Sequence, residues 1–362
     1  MRIAFYIKPF AAGEFRPGSR DAFAYESLSR IIKRHPGHTY FLVEDGPLDE
    51  APPFDGLERF SLPQGGLFGD YRKYQLKLPA LLKKLEATVV LSLTGTLPLK
   101  GSVPSLAVVP NGASADPEIA RFIRVADVVA TLSGSEADAL SARDLVSRDQ
   151  IFCVPPAVPE VFQPLGWEAR EQVKEDYTDS REYFIHLDPV IDEAALIRLL
   201  KGFSVLKKRL RSSMALVLAG EMHLPEAKIT GLLRSYHFRG DVKCLVCADL
   251  LMRTRLVGGA YALVTASAGT GFGVPVLEAL RSRVPVVAAS EAALQETAAE
   301  AALYFKPGDA ADLGERFCDI YKYENLRARL IEKADAQALL YSWDKTVDVL
   351  WEGLLNAVQA KK

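Results

Sequence analysis

The stretch that decides the fold reads ALVTASAGTGFGVPVLEAL and runs from residue 262 to residue 280. Its first residues, Ala262–Thr265, have the composition of a buried strand, and the run from Val274 onward favours a helix. Glycines at 269, 271 and 273 separate the two and let a ligand approach the backbone. A strand, a glycine turn and a helix start present free backbone N–H groups to an anion. The stretch therefore predicts an α/β domain with an anion-binding turn.

Glu278 adds a second feature to this turn. It is expected about two turns into the helix, where a carboxylate can accept hydrogen bonds from a diol such as a ribose. The turn and the carboxylate together indicate a pocket for a nucleotide sugar.

Length and composition limit the remaining possibilities. The 362 residues are too many for one ordinary core and favour two domains. Hydrophobic residues make up 49%, and 44 basic against 46 acidic residues give a net charge of −2, which provides no reason to expect nucleic acid as a partner. No apolar run approaches the roughly 20 residues of a membrane span, and the start resembles a strand rather than a signal peptide. We therefore expect a cytoplasmic protein.

Short apolar strands alternate with longer amphipathic stretches along the whole chain. This alternation predicts parallel sheets with helices on both faces, in two doubly wound domains. The predicted strands are Ile3–Ile7, Thr39–Val43, Ala87–Leu91, Ser105–Val109, Val128–Thr131, Ile151–Val154, Tyr183–Leu187, Ala215–Ala219, Val242–Val246, Ala262–Thr265, Val284–Ala288 and Ala302–Phe305. The predicted helices include Ala22–Ile32, Glu136–Leu145, Ala194–Arg209, Pro225–Tyr236 and Ala310–Ile320.

The join between the domains is expected in the proline-bearing, charged region Pro155–Ser180. The predicted organisation is an N-terminal domain at residues 1–160, a second domain at 161–341, and a last helix at 342–362 that packs back on the first domain. Ser342 is the expected N-cap of that helix.

Several motifs now point to a known family. Gly271–Leu280 followed by Val284–Ala288 resembles the core signature of family-4 (group 1) retaining glycosyltransferases. Glu296, Ala301–Pro307 and Tyr341–Thr346 match in order and spacing, and Ala24–Leu28 and Pro104–Val108 resemble shorter runs upstream.

The resemblance implies a GT-B fold, with two facing Rossmann-like domains and a C-terminal crossover helix. It implies a nucleotide diphosphate sugar as donor, held mainly by the second domain, and a saccharide or lipid-linked acceptor held by the first. It implies no metal and no cofactor. Transferred residue by residue, it assigns the sugar-phosphate to Gly271, Phe272 and Gly273, the ribose to Glu278, and the sugar ring to Thr270. No catalytic residue is singled out.

The sequence departs from the family pattern in four places, which involve six residues, all at polar contacts to the donor. Thr270 stands where the family has a glutamate, and Asp188 where it has a glycine. Glu193 and Ala194 replace the arginine–lysine pair that neutralises the diphosphate. In the first domain, Asp21 falls where a glycine would let phosphate approach, and Asn111 lies where a histidine is common. Arg16 and Arg20 are then the predicted sources of positive charge for the donor.

The family motifs, taken together with these departures from the family pattern, leave two possible functions. One is a glycosyltransferase that moves a hexose from a nucleotide diphosphate sugar with retention. The other is a non-catalytic relative that serves as a partner or binding subunit in a polysaccharide pathway. The sequence leaves the sugar, the base, the acceptor and the oligomeric state open.

Other chemistry-bearing residues favour structural roles. Cys244 and Cys247 form a C-x-x-C in the stretch Asp241–Cys247, which has the composition of a strand, and are expected to be small core residues. The five histidines are scattered and pair with no nucleophile motif; His223 is a weak candidate for a nucleotide contact. The basic segment Tyr71–Lys77, followed by Leu81–Leu85, favours an amphipathic helix, with contact to an anionic membrane as the alternative.

Overall fold

The computed structural model describes residues 1–7, 20–44, 57–62, 73–93, 95–99, 103–109, 116–188, 190, 193–220, 224–247, 249–265 and 273–361. These residues divide into two compact units. One contains the described residues of Met1–Ala157 and Ser342–Lys362, and the other contains those of Val158–Gly269 and Gly273–Tyr341.

The first unit is built on a seven-stranded, fully parallel sheet of order β3-β2-β1-β4-β5-β6-β7. Its strands are β1 (Arg2–Ile7), β2 (Thr39–Glu44), β3 (Glu58–Ser61), β4 (Val89–Ser92), β5 (Ser105–Val109), β6 (Val128–Thr131) and β7 (Ile151–Cys153). Its helices before the second unit are α1 (Arg20–Arg34), α2 (Leu78–Lys84), α3 (Pro117–Ile123) and α4 (Gly134–Ala142), with a π-helical turn at Lys73–Lys77 before α2.

The second unit has a six-stranded parallel sheet of order β10-β9-β8-β11-β12-β13. Its strands are β8 (Tyr183–His186), β9 (Ala215–Leu218), β10 (Val242–Cys244), β11 (Ala262–Thr265), β12 (Val286–Ala289) and β13 (Ala302–Phe305). Its helices are α5 (Trp167–Thr178), α6 (Glu193–Leu210), α7 (Glu226–Ser235), α8 (Leu250–Gly258), α9 (Val274–Arg281), α10 (Ala292–Ala298), α11 (Ala310–Lys322) and α12 (Glu324–Ala338).

The central strands of both sheets are buried on both faces, as expected when helices cover each side. The prediction of two doubly wound α/β domains is therefore confirmed. Strand β3 was missed because its four residues, Glu58–Ser61, are partly exposed at the sheet edge and lack an apolar run. Within the region predicted as the join, Trp167–Thr178 forms helix α5, which buries Val173.

The last helix, α13 (Trp343–Ala360), lies against β4, β5, β6, β7 and α1 of the first unit. Ser342 is its N-cap, with the side chain accepting a hydrogen bond from the backbone N–H of Lys345 at 3.3 Å. A Cβ at Gly353 would lie 3.1 Å from Leu106, so the helix backbone approaches the sheet closely. Among the described residues, no helix combines the length and apolarity needed to cross a bilayer.

The prediction that Cys244 and Cys247 are core residues is wrong. Cys318 is buried, but Cys244 and Cys153 are exposed and Cys247 is intermediate. Cys244 ends β10, which is the outermost strand of its sheet among the described residues.

Candidate functional site in the second unit

The strand order of the second sheet marks one position for ligand binding. Consecutive connections run outward from β8 through β9 to β10, then cross to β11 and run outward in the other direction. The order therefore reverses between β8 and β11. In open parallel sheets, ligands bind outside the carboxyl ends of the strands at such a reversal.

Three polar side chains meet at that point. His186 ends β8, Thr265 ends β11, and Asp188 follows β8 by two residues. The hydroxyl of Thr265 is 3.0 Å and 2.8 Å from the two carboxylate oxygens of Asp188, to which it donates. All three residues are buried. The reversal point is therefore lined by a fixed polar cluster rather than by the apolar ends of two strands.

The orientation of His186 follows from its hydrogen bond. Its Nδ1 lies 2.9 Å from the backbone carbonyl oxygen of Val264, which can only accept, so Nδ1 carries the proton. In the neutral ring, Nε2 is then the acceptor. The carboxylate of Asp188 lies 3.9 Å from the same Nδ1.

Gly220 fixes the position of Asp188. A Cβ built at Gly220 would lie 2.1 Å from the backbone oxygen of Asp188, closer than any real contact. Only glycine therefore lets the chain after β9 pass against the chain after β8. This close approach holds the Asp188 backbone at the carboxyl edge of the sheet.

The glycine turn predicted from sequence leads into helix α9 at the same edge. Gly273 has φ of 64°, a left-handed conformation that favours glycine, and it is the residue before Val274. A Cβ there would lie 3.3 Å from the hydroxyl oxygen of Thr297. Thr270, Gly271 and Phe272 lie outside the described residues, as do Arg16, Asn111 and His223. Arg20 and Asp21 are the first two residues of α1, but their side chains are also outside the description.

Glu278 lies on α9 and is completely buried. Its side chain is 0% exposed, and that of Arg253, on α8, is 11% exposed. The Nε of Arg253 donates to both carboxylate oxygens, at 2.8 Å and 3.0 Å, and its Nη2 lies 2.8 Å from Oε2. Burial raises the pKa of Glu278, and the Arg253 guanidinium opposes that rise. The ribose contact of Glu278 stays a prediction.

The sequence that follows the strands at this edge is acidic. Glu193 is the first residue of α6 and is exposed, followed by exposed Ala194. Four segments follow the strands β8, β9, β10 and β11. Together they contain four acidic residues and no lysine or arginine. They are residues 187–192, 219–225, 245–249 and 266–273. Within the part of the chain that is described, no group of three His, Cys, Asp or Glu side chains could hold a metal ion.

Sequence reasoning missed Arg253 and undervalued His186. A signal for Arg253 was present: Leu256 and Val257 follow it at helical spacings of three and four, so Arg253 occupies a position where a helix normally presents an apolar residue to the core. No pattern identified His186, because its role depends on which strands become neighbours.

Comparison with known proteins gives this site its context. Residues 169–337 match the family model described as Glycosyl transferases group 1. That segment contains β8–β13, the reversal point, the glycine turn and the Arg253–Glu278 pair. The predicted group 1 resemblance therefore holds for the second unit.

A curated relative is a serotype-specific mannosyltransferase, WbdA, from Escherichia coli. It is 25% identical over 257 residues, which are 68% of this chain and 30% of WbdA. The chain thus spans about a third of the length of that relative.

Two solved structures share the fold of the whole chain. One is WaaG, a glycosyltransferase involved in lipopolysaccharide biosynthesis, with a TM-score of 0.76, 16% identity, and coverage of 96% of this chain and 99% of WaaG. The other is Anabaena HepE in complex with UDP and glucose, with a TM-score of 0.73, 14% identity, and coverage of 98% and 99%. These likenesses confirm the predicted GT-B fold class.

Proposed function

We propose that this chain is a retaining glycosyltransferase of family 4 that transfers a hexose from a nucleotide diphosphate sugar to a saccharide or lipid-linked acceptor. One observation carries the proposal: within the segment that matches the group 1 model, a left-handed Gly273 opens α9 at the carboxyl edge of a sheet whose order reverses at β8 and β11. A helix start at this place suits a phosphate group.

The choice of donor follows from the relatives. WbdA is a mannosyltransferase, and HepE is described in complex with UDP-glucose. GDP-mannose and UDP-glucose are therefore the first donors to test. Thr270, Gly271, Phe272 and Gly273 are the proposed contacts to the sugar-phosphate end, and Arg16 and Arg20 the proposed sources of positive charge.

The test is calorimetric titration of the purified chain with both donors, followed by a transfer assay on saccharide acceptors. We expect one donor to bind with a Kd below about 1 mM, within the usual range of substrate affinities. The variant G273A should weaken that affinity about tenfold, because a Cβ strains the left-handed turn and meets Thr297.

A matched control separates the turn from general strain. Gly308 also has a left-handed backbone, with φ of 79°, but a Cβ there would meet nothing within 4 Å. The variant G308A should therefore leave donor affinity unchanged. An equal loss of donor affinity in both variants would contradict a donor site at Gly273, and so would an unchanged donor affinity in G273A.

A second candidate function is a non-catalytic partner or binding subunit in a polysaccharide pathway. The acidic residues favour it: Glu193 begins α6 where the family carries a cation, and the four segments contain no lysine or arginine. Each lost ion pair with a phosphate is worth about 4 kcal/mol at 4 Å and an effective dielectric of 20. Failure of UDP, GDP and both donors to bind would support this second function.

A further inference from the structure

Helix α8 places an arginine on its buried face. Its N-cap is Asp249, whose Oδ1 accepts a hydrogen bond from the backbone N–H of Met252 at 2.7 Å. Arg253, Leu256 and Val257 are all buried. Arg255, only two residues after Arg253, instead lies near the surface and pairs with Asp176 at 2.6 Å, with both side chains 34% exposed.

The geometry of the Arg253–Glu278 pair uses both carboxylate oxygens. The guanidinium reaches Oε1 through Nε and Oε2 through Nε and Nη2, within 2.8–3.0 Å. Such a fork is the strongest arrangement that an arginine and a carboxylate can make. The Glu278 side chain is 0% exposed, and both of its oxygens accept hydrogen bonds from Arg253.

We propose that Arg253 is a specificity-determining residue: it takes Glu278 as its own partner and removes that carboxylate from ligand recognition. The proposal rests on the proposed function, because it concerns the same site. Nucleotide recognition in this chain then depends on groups other than Glu278. The pair instead joins α8 to α9 beside the reversal point.

The effects of substitutions on stability can test whether Arg253 and Glu278 act as a buried ion pair. Removing one partner leaves an uncompensated charge in the interior, which strongly destabilises a protein, whereas replacing both by apolar residues of similar size is often neutral. A carboxylate that binds a ligand behaves differently, because its replacement weakens binding whatever happens to Arg253. Single and double variants therefore distinguish the two roles.

The experiment compares the wild type with R253M, E278M and the double variant R253M/E278M, with R255M as the control on the same helix. Each protein is melted, and each is titrated with UDP and GDP. We expect each single variant to lower the midpoint of unfolding by about 6–20 °C. The double variant and R255M should stay within about 3 °C of the wild type.

The binding arm supplies the second readout. The affinity of the double variant for UDP or GDP should agree with that of the wild type within about threefold, a difference below 1 kcal/mol. A loss of tenfold or more in the double variant, with an unchanged midpoint of unfolding, would overturn the proposal. Additive melting effects of the two single changes would also overturn it.

Failure of the proposed function would look different. The wild type and every variant would then bind neither nucleotide, while the melting temperatures alone would decide whether Arg253 and Glu278 act as a pair.

Discussion

Arginines join helices in both units, but their surroundings differ. In the first unit, Arg34 of α1 reaches α13 through Asp344 at 3.3 Å and Asp348 at 2.8 Å, and the Arg34 side chain is 39% exposed. In the second, Arg253 holds a fully buried Glu278. The same chemical groups therefore make a solvated, replaceable contact in one unit and a contact on which the interior depends in the other.

In the first unit, Trp351 of α13 adds ring stacking to the ion pairs of Arg34. Its ring stacks on His35 with centroids 3.6 Å apart and planes 6° apart, and it lies 5.1 Å from the ring of His38. The docking of α13 thus combines surface ion pairs with stacked, titratable rings. The Arg253–Glu278 pair contains no histidine.

The largest expected effect tests the buried pair. The variant R253M should lower the free energy of unfolding by about 3–5 kcal/mol, because Glu278 is left as an unpaired charge in the interior. Denaturant unfolding measures this loss, and raising the salt concentration should not abolish it, since buried pairs are weakly screened. A loss below about 1 kcal/mol would show that Glu278 finds another partner or water.

The second expected effect concerns pH and the first unit. Burial lowers the pKa of His35 most, and the charge of Arg34 lowers it further. Burial also lowers the pKa of His38 most, and the amino group of Met1 adds to that effect. Asp348 opposes the shift at His35. Below the ordinary value of 6.5, the unfolded chain therefore binds more protons than the folded one. The contribution of the rings to stability is complete above pH 6.5 and is lost as the pH falls through the folded-state pKa values.

Unfolding followed by Trp fluorescence between pH 8 and pH 5 measures this loss. The double variant H35Q/H38Q should show a flatter profile over the same range. An equally steep profile in that variant would assign the acid sensitivity to other groups.

The smallest expected effect comes from Arg34. The variant R34M should lower the free energy of unfolding by about 0.5 kcal/mol, and the difference should shrink in high salt, because exposed pairs are weak and screened. Chemical denaturation at low and high salt measures it. A loss as large as that of R253M would remove the contrast between the two contacts.

Much of the fold was readable in the sequence because it depends on local patterns. Four apolar runs were predicted as strands with the same bounds that the structure has. They are Ser105–Val109, Val128–Thr131, Ala262–Thr265 and Ala302–Phe305. Other bounds moved by a few residues: β12 begins at Val286 rather than Val284, because the backbone N–H of Val284 donates to the carbonyl oxygen of Ala279 in the turn after α9. Strand β3 escaped because edge strands carry a weak hydrophobic signal.

Much less of the site was readable. The glycine turn and Glu278 were found by their spacing, yet the spacing says nothing about the partner of Glu278. That partner lies 25 residues earlier, on a different helix. Asp188 and Thr265 are 77 positions apart and meet only because β8 and β11 are neighbours in the sheet.

The sequence by itself determined the alternation of strands and helices, the glycine turn and the absence of lysine and arginine from the segments around it, because these are properties of composition and short-range period. Only the tertiary structure decided that Arg253 neutralises Glu278 and that His186, Asp188 and Thr265 share one edge. The physical reason is that burial and the pairing of charges depend on which distant segments pack together, and no local pattern encodes that choice.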